Sequence, residues 1–330
     1  MLLNAMATGI GVVVIGRNEG PRLQRCLASL LGMAQQIVYV DSGSTDGSVQ
    51  MARGLGVEVV ELDMAIPFTA ARARNEGFAC VQRLLPQVRY VQFVDGDCEV
   101  VAGWLPRAQA FLDAQPQVAV VCGRRRERYP QHSIYNFMCD LEWDTPIGEA
   151  RACGGDALMR ADAFTSVSGF RPDLIAGEEP ELCVRLRAKG WKVWRLAEEM
   201  TLHDADMTRF GQWWRRTLRG GYAFAEGAFL HGATPEQHWR RESRRAWFWG
   251  LGIPLATVLV SLLAGWFGLL LLLVYPLQVV RLARRGQAST GKKWRLAFFL
   301  VLGKFPEMFG QIKFLLNRFG AGKSALIEYK

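Results

Sequence analysis

Residues 246–280 carry no charged side chain, an uninterrupted run of 35 positions. As one straight helix the run would be about 52 Å long, far more than a hydrocarbon core of about 30 Å. Gly250, Gly252, Pro254, Gly265, Gly268 and Pro276 interrupt it, and both flanks are basic, RRESRR before and RLARR after. Basic flanks favour the cytoplasmic side of a membrane, so both ends are expected there. A helical hairpin turning near residues 265–268 satisfies both constraints; the plainer alternative is a buried pair of soluble helices. Segment 294–319 is rich in Phe and Leu but broken by Lys304, Glu307, Lys313 and Arg318. It reads as an amphipathic helix or broken helix in the membrane interface, with a third span through residues 296–309 as the competing reading.

The charge distribution agrees with this division. The formal net charge is +9, and residues 281–330 hold eleven Lys or Arg against two Glu, so the remainder sums to zero. A nucleic-acid binder would carry its basic face on the folded body; a basic tail beside an apolar run suits an anionic membrane surface. All seven cysteines lie within the first 183 residues and none has CxxC spacing, which points to reduced thiols in a cytosolic body. The N-terminus has no basic leader region and runs directly into a strand pattern, so no signal peptide is expected. Residues 1–240 are read as the folded body and 241–330 as a membrane-associated helical region on the cytoplasmic face of the cell's inner membrane.

Within the body, β-branched runs alternate with segments of helical spacing. IGVVVIG, QQIVYVD, VEVVEL and YVQFV read as strands, and PRLQRCLASLLGM, SVQMARGLG and FTAARARNEGFACVQRL as helices between them. Such a βαβ series predicts an α/β fold with a mostly parallel sheet flanked by helices. Ligands of these sheets sit outside the carboxyl ends of the strands, where Asp41 and Asp95 stand. Beyond residue 100 the alternation loosens, with a charged strand VAVVCGRRRERY, a helix in GEEPELCVRLRAKG and a strand over residues 191–196.

Several clusters carry candidate chemistry. Asp95 and Asp97 are separated by one glycine at a strand end, and two such carboxylates repel unless something positive joins them. Hard oxygen ligands call for Mg²⁺ or Mn²⁺, against the plain alternative of an exposed Asp-Gly turn. Glu178, Glu179 and Glu181 open a helix, where the dipole favours acids, yet any of them could serve as a general base. His203 is a candidate metal ligand or an ordinary loop histidine. Arg72, Arg74 and Asn75, and separately Arg215 and Arg216, could pair with a diphosphate or form solvated helix faces.

In order along the chain, VVVIGRNEG, VYVDSGSTDGS, ARARNEGF, VDGDCEV, GGDALMRADAFTSVSGF and GEEPELCVRLRAKGW resemble the motifs of the family 2 glycosyltransferases of GT-A fold, over residues 10–217. The resemblance implies an inverting transferase using a nucleotide-diphosphate sugar, a UDP-sugar first, and a divalent cation, Mg²⁺ or Mn²⁺. It implies a nucleotide-sugar half at about residues 1–100 and an acceptor half at about 101–240. Asp41 would recognise the base, with Arg17 and Glu19 beside it and Arg72, Arg74 and Asn75 near the nucleotide. Asp95 would approach the ribose or the metal, Asp97 and His203 would hold the metal, and Gly155 and Asp156 would lie on the acceptor side. Position matching makes Glu179 the acceptor-activating base where the family more often has Asp. Processive members carry Gln-x-x-Arg-Trp; here Gln212 is followed by Arg215 and Arg216, which leaves Arg215 as a diphosphate contact and argues against a polymer synthase. The expected acceptor is a hydroxyl of a lipid-linked intermediate in envelope or exopolysaccharide assembly, the alternative being a polyprenyl phosphate. A nucleotidyltransferase would start with a GxGxRxxP-type motif, which is missing, and a decayed scaffold would not keep Asp95, Asp97 and Glu179.

Overall fold

The computed structural model describes residues 7–286 and 290–320; the leader reading of residues 1–6 and the basic residues beyond 320 lie outside them. The chain divides into two compact units: residues up to Pro130 with Cys139–Asp206, and Gln131–Met138 with the chain from Met207 onward. The second unit therefore starts well before the composition change near residue 240.

The first unit is built on a sheet of nine strands among the described residues: β1 (Ala7–Gly16), β2 (Ala34–Asp41), β3 (Glu58–Glu61), β4 (Tyr90–Asp95), β5 (Cys98–Val100), β6 (Val118–Glu127), β7 (Gly148–Glu149), β8 (Ala157–Arg160) and β9 (Lys192–His203). Its helices are α1 (Pro21–Leu30), α2 (Ser48–Gly54), α3 (Ala70–Leu84), α4 (Trp104–Ala114), α6 (Ala161–Ser166) and α7 (Glu178–Ala188); α5 (Ile134–Glu142) is divided between the units. Local chemistry sets several starts. Pro21 occupies the first turn of α1, where its missing N–H costs nothing. Thr69 caps α3 by accepting from the Arg72 N–H.

The strand order is β3-β2-β1-β4-β8-β6-β9-β5, with β7 on β9. The first four strands are mutually parallel. Beyond them β8 is antiparallel to both β4 and β6, and β9 is parallel to β6 but antiparallel to β5 and β7. The second half is thus mixed: only β6 and β9 are parallel neighbours there, with α5, α6 and α7 between them in the chain. Strand β9 also runs on to His203, past the expected residue 196, since its far half pairs with β6 and β5 rather than following a periodicity of its own. Val12, Val13, Val14, Val38, Val40, Val91, Phe93 and Val94 are fully buried, as strands covered on both faces require. Each such side chain contributes about 1.5–3 kcal/mol on burial. The parallel register pairs Gly16 with Asp41 and Ile15 with Asp95, so both acids reach the same edge of the core.

The second unit is helical: α8 (Phe210–His231), α9 (Arg240–Trp247), a π-helical turn (Phe248–Gly252), α10 (Ile253–Ala264), a 3₁₀ segment (Gly265–Leu273), α11 (Val274–Arg285), α12 (Thr290–Leu302) and α13 (Lys304–Phe319). Tyr222 of α8 packs edge-on against Phe314 of α13, and Ser243 of α9 exchanges hydrogen bonds with the buried Gln311. The apolar run does not form one rod. At Gly265, φ 64° and ψ −144° end α10, a conformation open to glycine alone. Gly268 then lies against the Ser261 backbone, and the Tyr275 hydroxyl donates to the Trp249 carbonyl at 2.5 Å. The chain therefore doubles back as a hairpin. The helical stretch Arg240–Arg285 is long and apolar enough to cross a membrane, and Leu262, Leu263 and Trp266 near the turn are 78%, 90% and 65% exposed. Helices α12 and α13, which follow, meet at Gly303 as a broken pair.

Candidate active site

The chemistry gathers at the carboxyl ends of β1, β2 and β4 and on the strands beside them, all within the first unit. Asp41, at the tip of β2, is 2% exposed. Its carboxylate accepts from the Tyr39 hydroxyl and the backbone N–H groups of Gly43 and Ser44, which fixes the polar turn after the strand. Arg17 lies over the Phe68 ring, 5.0 Å from its centre. The buried Glu19 pairs with Arg22 at 2.9 Å. Asn18 accepts from the Thr45 N–H, so the turns after β1 and β2 are tied together.

Asp95 is the hub. Arg74 of α3 bridges it at 2.7 Å and Glu178 of α7 at 2.6 Å. Arg125 of β6 approaches its other oxygen at 3.3 Å and the buried Asp156 at 3.6 Å. Asp156 accepts from the Asp95 N–H and from the Thr201 hydroxyl. Burial alone would make the Arg74 and Arg125 guanidiniums easier to deprotonate, but the surrounding carboxylates outweigh it and hold both more firmly protonated than usual. Two arginines thus face three acids, and each arginine pairs with Asp95 at the strand end. Gly155 passes so close that a Cβ there would sit 2.7 Å from Arg74 Nη2 and 3.0 Å from Asp95 Oδ2.

Asp97 faces a different set. His203, at the end of β9, places Nε2 3.4 Å from Asp97 Oδ2, long for a hydrogen bond. Its Nδ1 lies 2.8 Å from Glu127 Oε2, and Glu127 also accepts from the Ala205 N–H. A carboxylate on Nδ1 fixes the tautomer that presents Nε2 as a ligand. Burial lowers the His203 pKa, yet Asp97 and Glu127 outweigh it and leave it above the ordinary histidine value. Asp97, Cys98 and His203 fall within a metal-ligating spacing. A carboxylate oxygen and an imidazole nitrogen converging in a buried pocket fit a divalent cation of the Mn²⁺ or Mg²⁺ class.

Glu179 opens α7 beside Glu178 and is 3% exposed. It accepts from the N–H and thiol of Cys153, the N–H of Gly154 and the thiol of Cys183, all at 2.8–2.9 Å. Burial raises its pKa above the ordinary glutamate value despite these donors. Cys183 is pushed up to about 12: its bond with Cys153 draws it down, but burial and the adjacent Glu179 charge outweigh that.

Other expected site residues have structural partners. Arg72 donates to the carbonyls of Asp63 and Ile66, and Asn75 clamps the Phe170 backbone through both ends of its amide. Neither joins the Asp95 hub by any of these bonds. Arg215 is exposed on α8 of the second unit. Two residues escaped the sequence reading, Arg125 and Glu127. Their signal was faint: an acid inside the basic run RRRER, two positions from an arginine, so that both project from one face of β6.

The sequence profile of Glycosyl transferase family 2 matches residues 11–164. The succinoglycan biosynthesis protein ExoA of Rhizobium meliloti is 27% identical over 180 residues, which are 52% of this chain and 54% of that protein. A TPR repeat-containing protein of Synechococcus elongatus is 28% identical over 146 residues, 44% of this chain and 34% of that protein. The chain thus spans only about half or less of the length of these curated relatives. Glycosyltransferase AglE of Haloferax volcanii is 22% identical over 225 residues, 64% of this chain and 71% of it. Among solved structures, the mannosyltransferase PcManGT from Pyrobaculum calidifontis, in complex with GDP-Man and Mn²⁺, has a TM-score of 0.66, with 96% of this chain and 89% of that one covered at 16% identity; identity that low speaks for the fold. The mixed sheet flanked by helices is the GT-A fold of that neighbour. Over residues 11–164 the chain is similar to a family 2 glycosyltransferase domain.

Proposed function

We propose that the chain is an inverting glycosyltransferase that moves one sugar from a nucleotide-diphosphate sugar, a UDP-sugar first, to a hydroxyl of a lipid-linked acceptor in envelope or exopolysaccharide assembly. The observation that carries it is the Asp97–His203–Glu127 arrangement beside the Asp95 hub, at the strand ends where a GT-A sheet takes its nucleotide. Asp97 and His203 would hold Mg²⁺ or Mn²⁺, and the cation when bound would supply positive charge to the departing diphosphate. Asp41, Arg17 and Glu19 bound the nucleotide end, and Arg72 and Asn75 brace the walls that Arg74 and Gly155 complete. Glu179 takes the acceptor hydroxyl's proton; its raised pKa suits a base that must return that proton at each turnover.

The exposed hairpin at residues 246–280, with arginines at both ends, supports a position on the cytoplasmic face of the inner membrane, where a lipid-linked acceptor would present its hydroxyl. The exopolysaccharide role of the ExoA relative supports the assembly context.

The test is transfer of radiolabelled sugar from individual UDP- and GDP-sugars into the lipid fraction of a membrane extract, with wild type and Glu179→Gln compared. The reading expects labelled lipid with the wild type and a large loss with the variant. Undiminished activity of Glu179→Gln would point to a phosphate acceptor, which needs no base.

A further inference from the structure

Seven cysteines are present, and two of them, Cys153 and Cys183, converge on one carboxylate. Glu179 and Cys183 stand one helical turn apart on α7, so they share a face. Cys153, on the loop between β7 and β8, reaches in from the opposite side, and the Cys122 thiol of β6 lies against it. The Cys153 and Cys183 sulfurs both sit 2.8 Å from the same oxygen, Glu179 Oε1. The ligand atoms of Cys153, Glu179 and Cys183 all lie within 4.8 Å of one another. A tetrahedral zinc-class ion, with bonds of about 2.3 Å to sulfur and about 2.0 Å to oxygen, needs ligand atoms about 3.5–3.8 Å apart. The two sulfur–oxygen contacts, now 2.8 Å, would open by about 0.7 Å to reach that spacing.

We propose that Cys153, Glu179 and Cys183, with Cys122 beside them, form a binding site for a thiophilic divalent cation of the zinc class, separate from the Asp97–His203 pair. Binding forms two metal–sulfur bonds and one metal–oxygen bond, and the two thiol protons leave to solvent. Donor chemistry separates the two sites. Thiolates select zinc, cadmium and cobalt, whereas a carboxylate beside an imidazole is the set for manganese. The route in is through Cys153, which is partly exposed next to the exposed Gly154. Cys183 is fully buried, beyond the reach of a bulky oxidant but not of a bare ion. A Cys153–Cys183 disulfide would also strip Glu179 of two donors and leave its buried carboxylate less well satisfied. The regulatory consequence rests on the proposed function: a carboxylate bonded to a metal cannot accept a proton, so the ion would switch the acceptor base off.

The experiment uses the reduced, metal-stripped full chain in detergent, titrated with Co²⁺ as a spectroscopic substitute for zinc. The expected result is a thiolate-to-cobalt charge-transfer band saturating near one ion per chain, displaced by Zn²⁺ and retained in Asp97→Asn. Cys183→Ser should weaken the binding by more than about tenfold. Cys153→Ser, at a partly exposed position, should do the same and serves if Cys183→Ser does not fold. Absence of the band in the wild type, its persistence in Cys153→Ser, or loss of two titratable thiols to a disulfide in its place would overturn the site. A band in a chain that transfers no sugar would sustain the site and sink the function; transfer without a band would do the reverse.

Discussion

The two carboxylate centres of the first unit are built from opposite materials. Asp97 sits at the end of a strand turn, faces an imidazole, and has a second acid, Glu127, holding that imidazole from behind. Glu179 sits at the start of a helix, ringed by thiols and backbone N–H groups, with burial raising its pKa. The first environment sets a carboxylate and an imidazole side by side, as a cation needs; the second favours a group that can carry a proton and release it. Two acids of nearly equal intrinsic strength are therefore prepared for two different tasks by their neighbours.

The sharpest way to break this contrast is to remove the proton-carrying acid. Glu179→Gln should lower the transfer rate to a hydroxyl acceptor by about 10²–10⁴-fold, with nucleotide-sugar affinity retained, as single-turnover rates and donor binding would report. Next in size is the orienting acid. Glu127→Gln should weaken Mn²⁺ binding by about 10–100-fold, measured by titration calorimetry in the absence of substrate, while far-ultraviolet dichroism stays native. A Glu127→Gln protein that binds Mn²⁺ as tightly as wild type would remove the basis for setting the two centres apart.

The pH profile sharpens the comparison further. Glu179 is active only when ionised, so at saturating Mn²⁺ the rate should climb about tenfold per pH unit below its pKa and then level off. Because burial raises that pKa, the acid limb should lie above the ordinary glutamate value of about 4.3, and Glu179→Gln should lose the limb. Smallest is the packing effect. Gly155→Ala would press a methyl against Arg74 and Asp95, at a cost of about 1–3 kcal/mol in denaturant unfolding, with little change at the thiol-lined centre.

These environments were unequally visible in the sequence. Strands β1, β2 and β4 show as β-branched runs because they are buried on both faces, and their acids fall at the ends by simple counting. The hairpin showed as a charge-free run of 35 residues interrupted by glycines and prolines, of which Gly265 makes the turn. Glu127 did not show, because its meaning depends on His203, 76 positions away, and on a β6–β9 register with irregularities at Arg124 and Arg125. Arg125 was hidden for the same reason. Cys153 and Cys183 read only as reduced thiols, since a thiol shell around one acid forms only when a loop and a helix meet.

The most direct test of the central claim is release of nucleoside diphosphate from a panel of UDP- and GDP-sugars, with and without Mn²⁺ or Mg²⁺, in wild type beside Asp97→Asn. The account predicts cation-dependent release with at least one donor, accelerated by lipid extract and lost in the variant. No release with any donor, or equal release from Asp97→Asn, would contradict it.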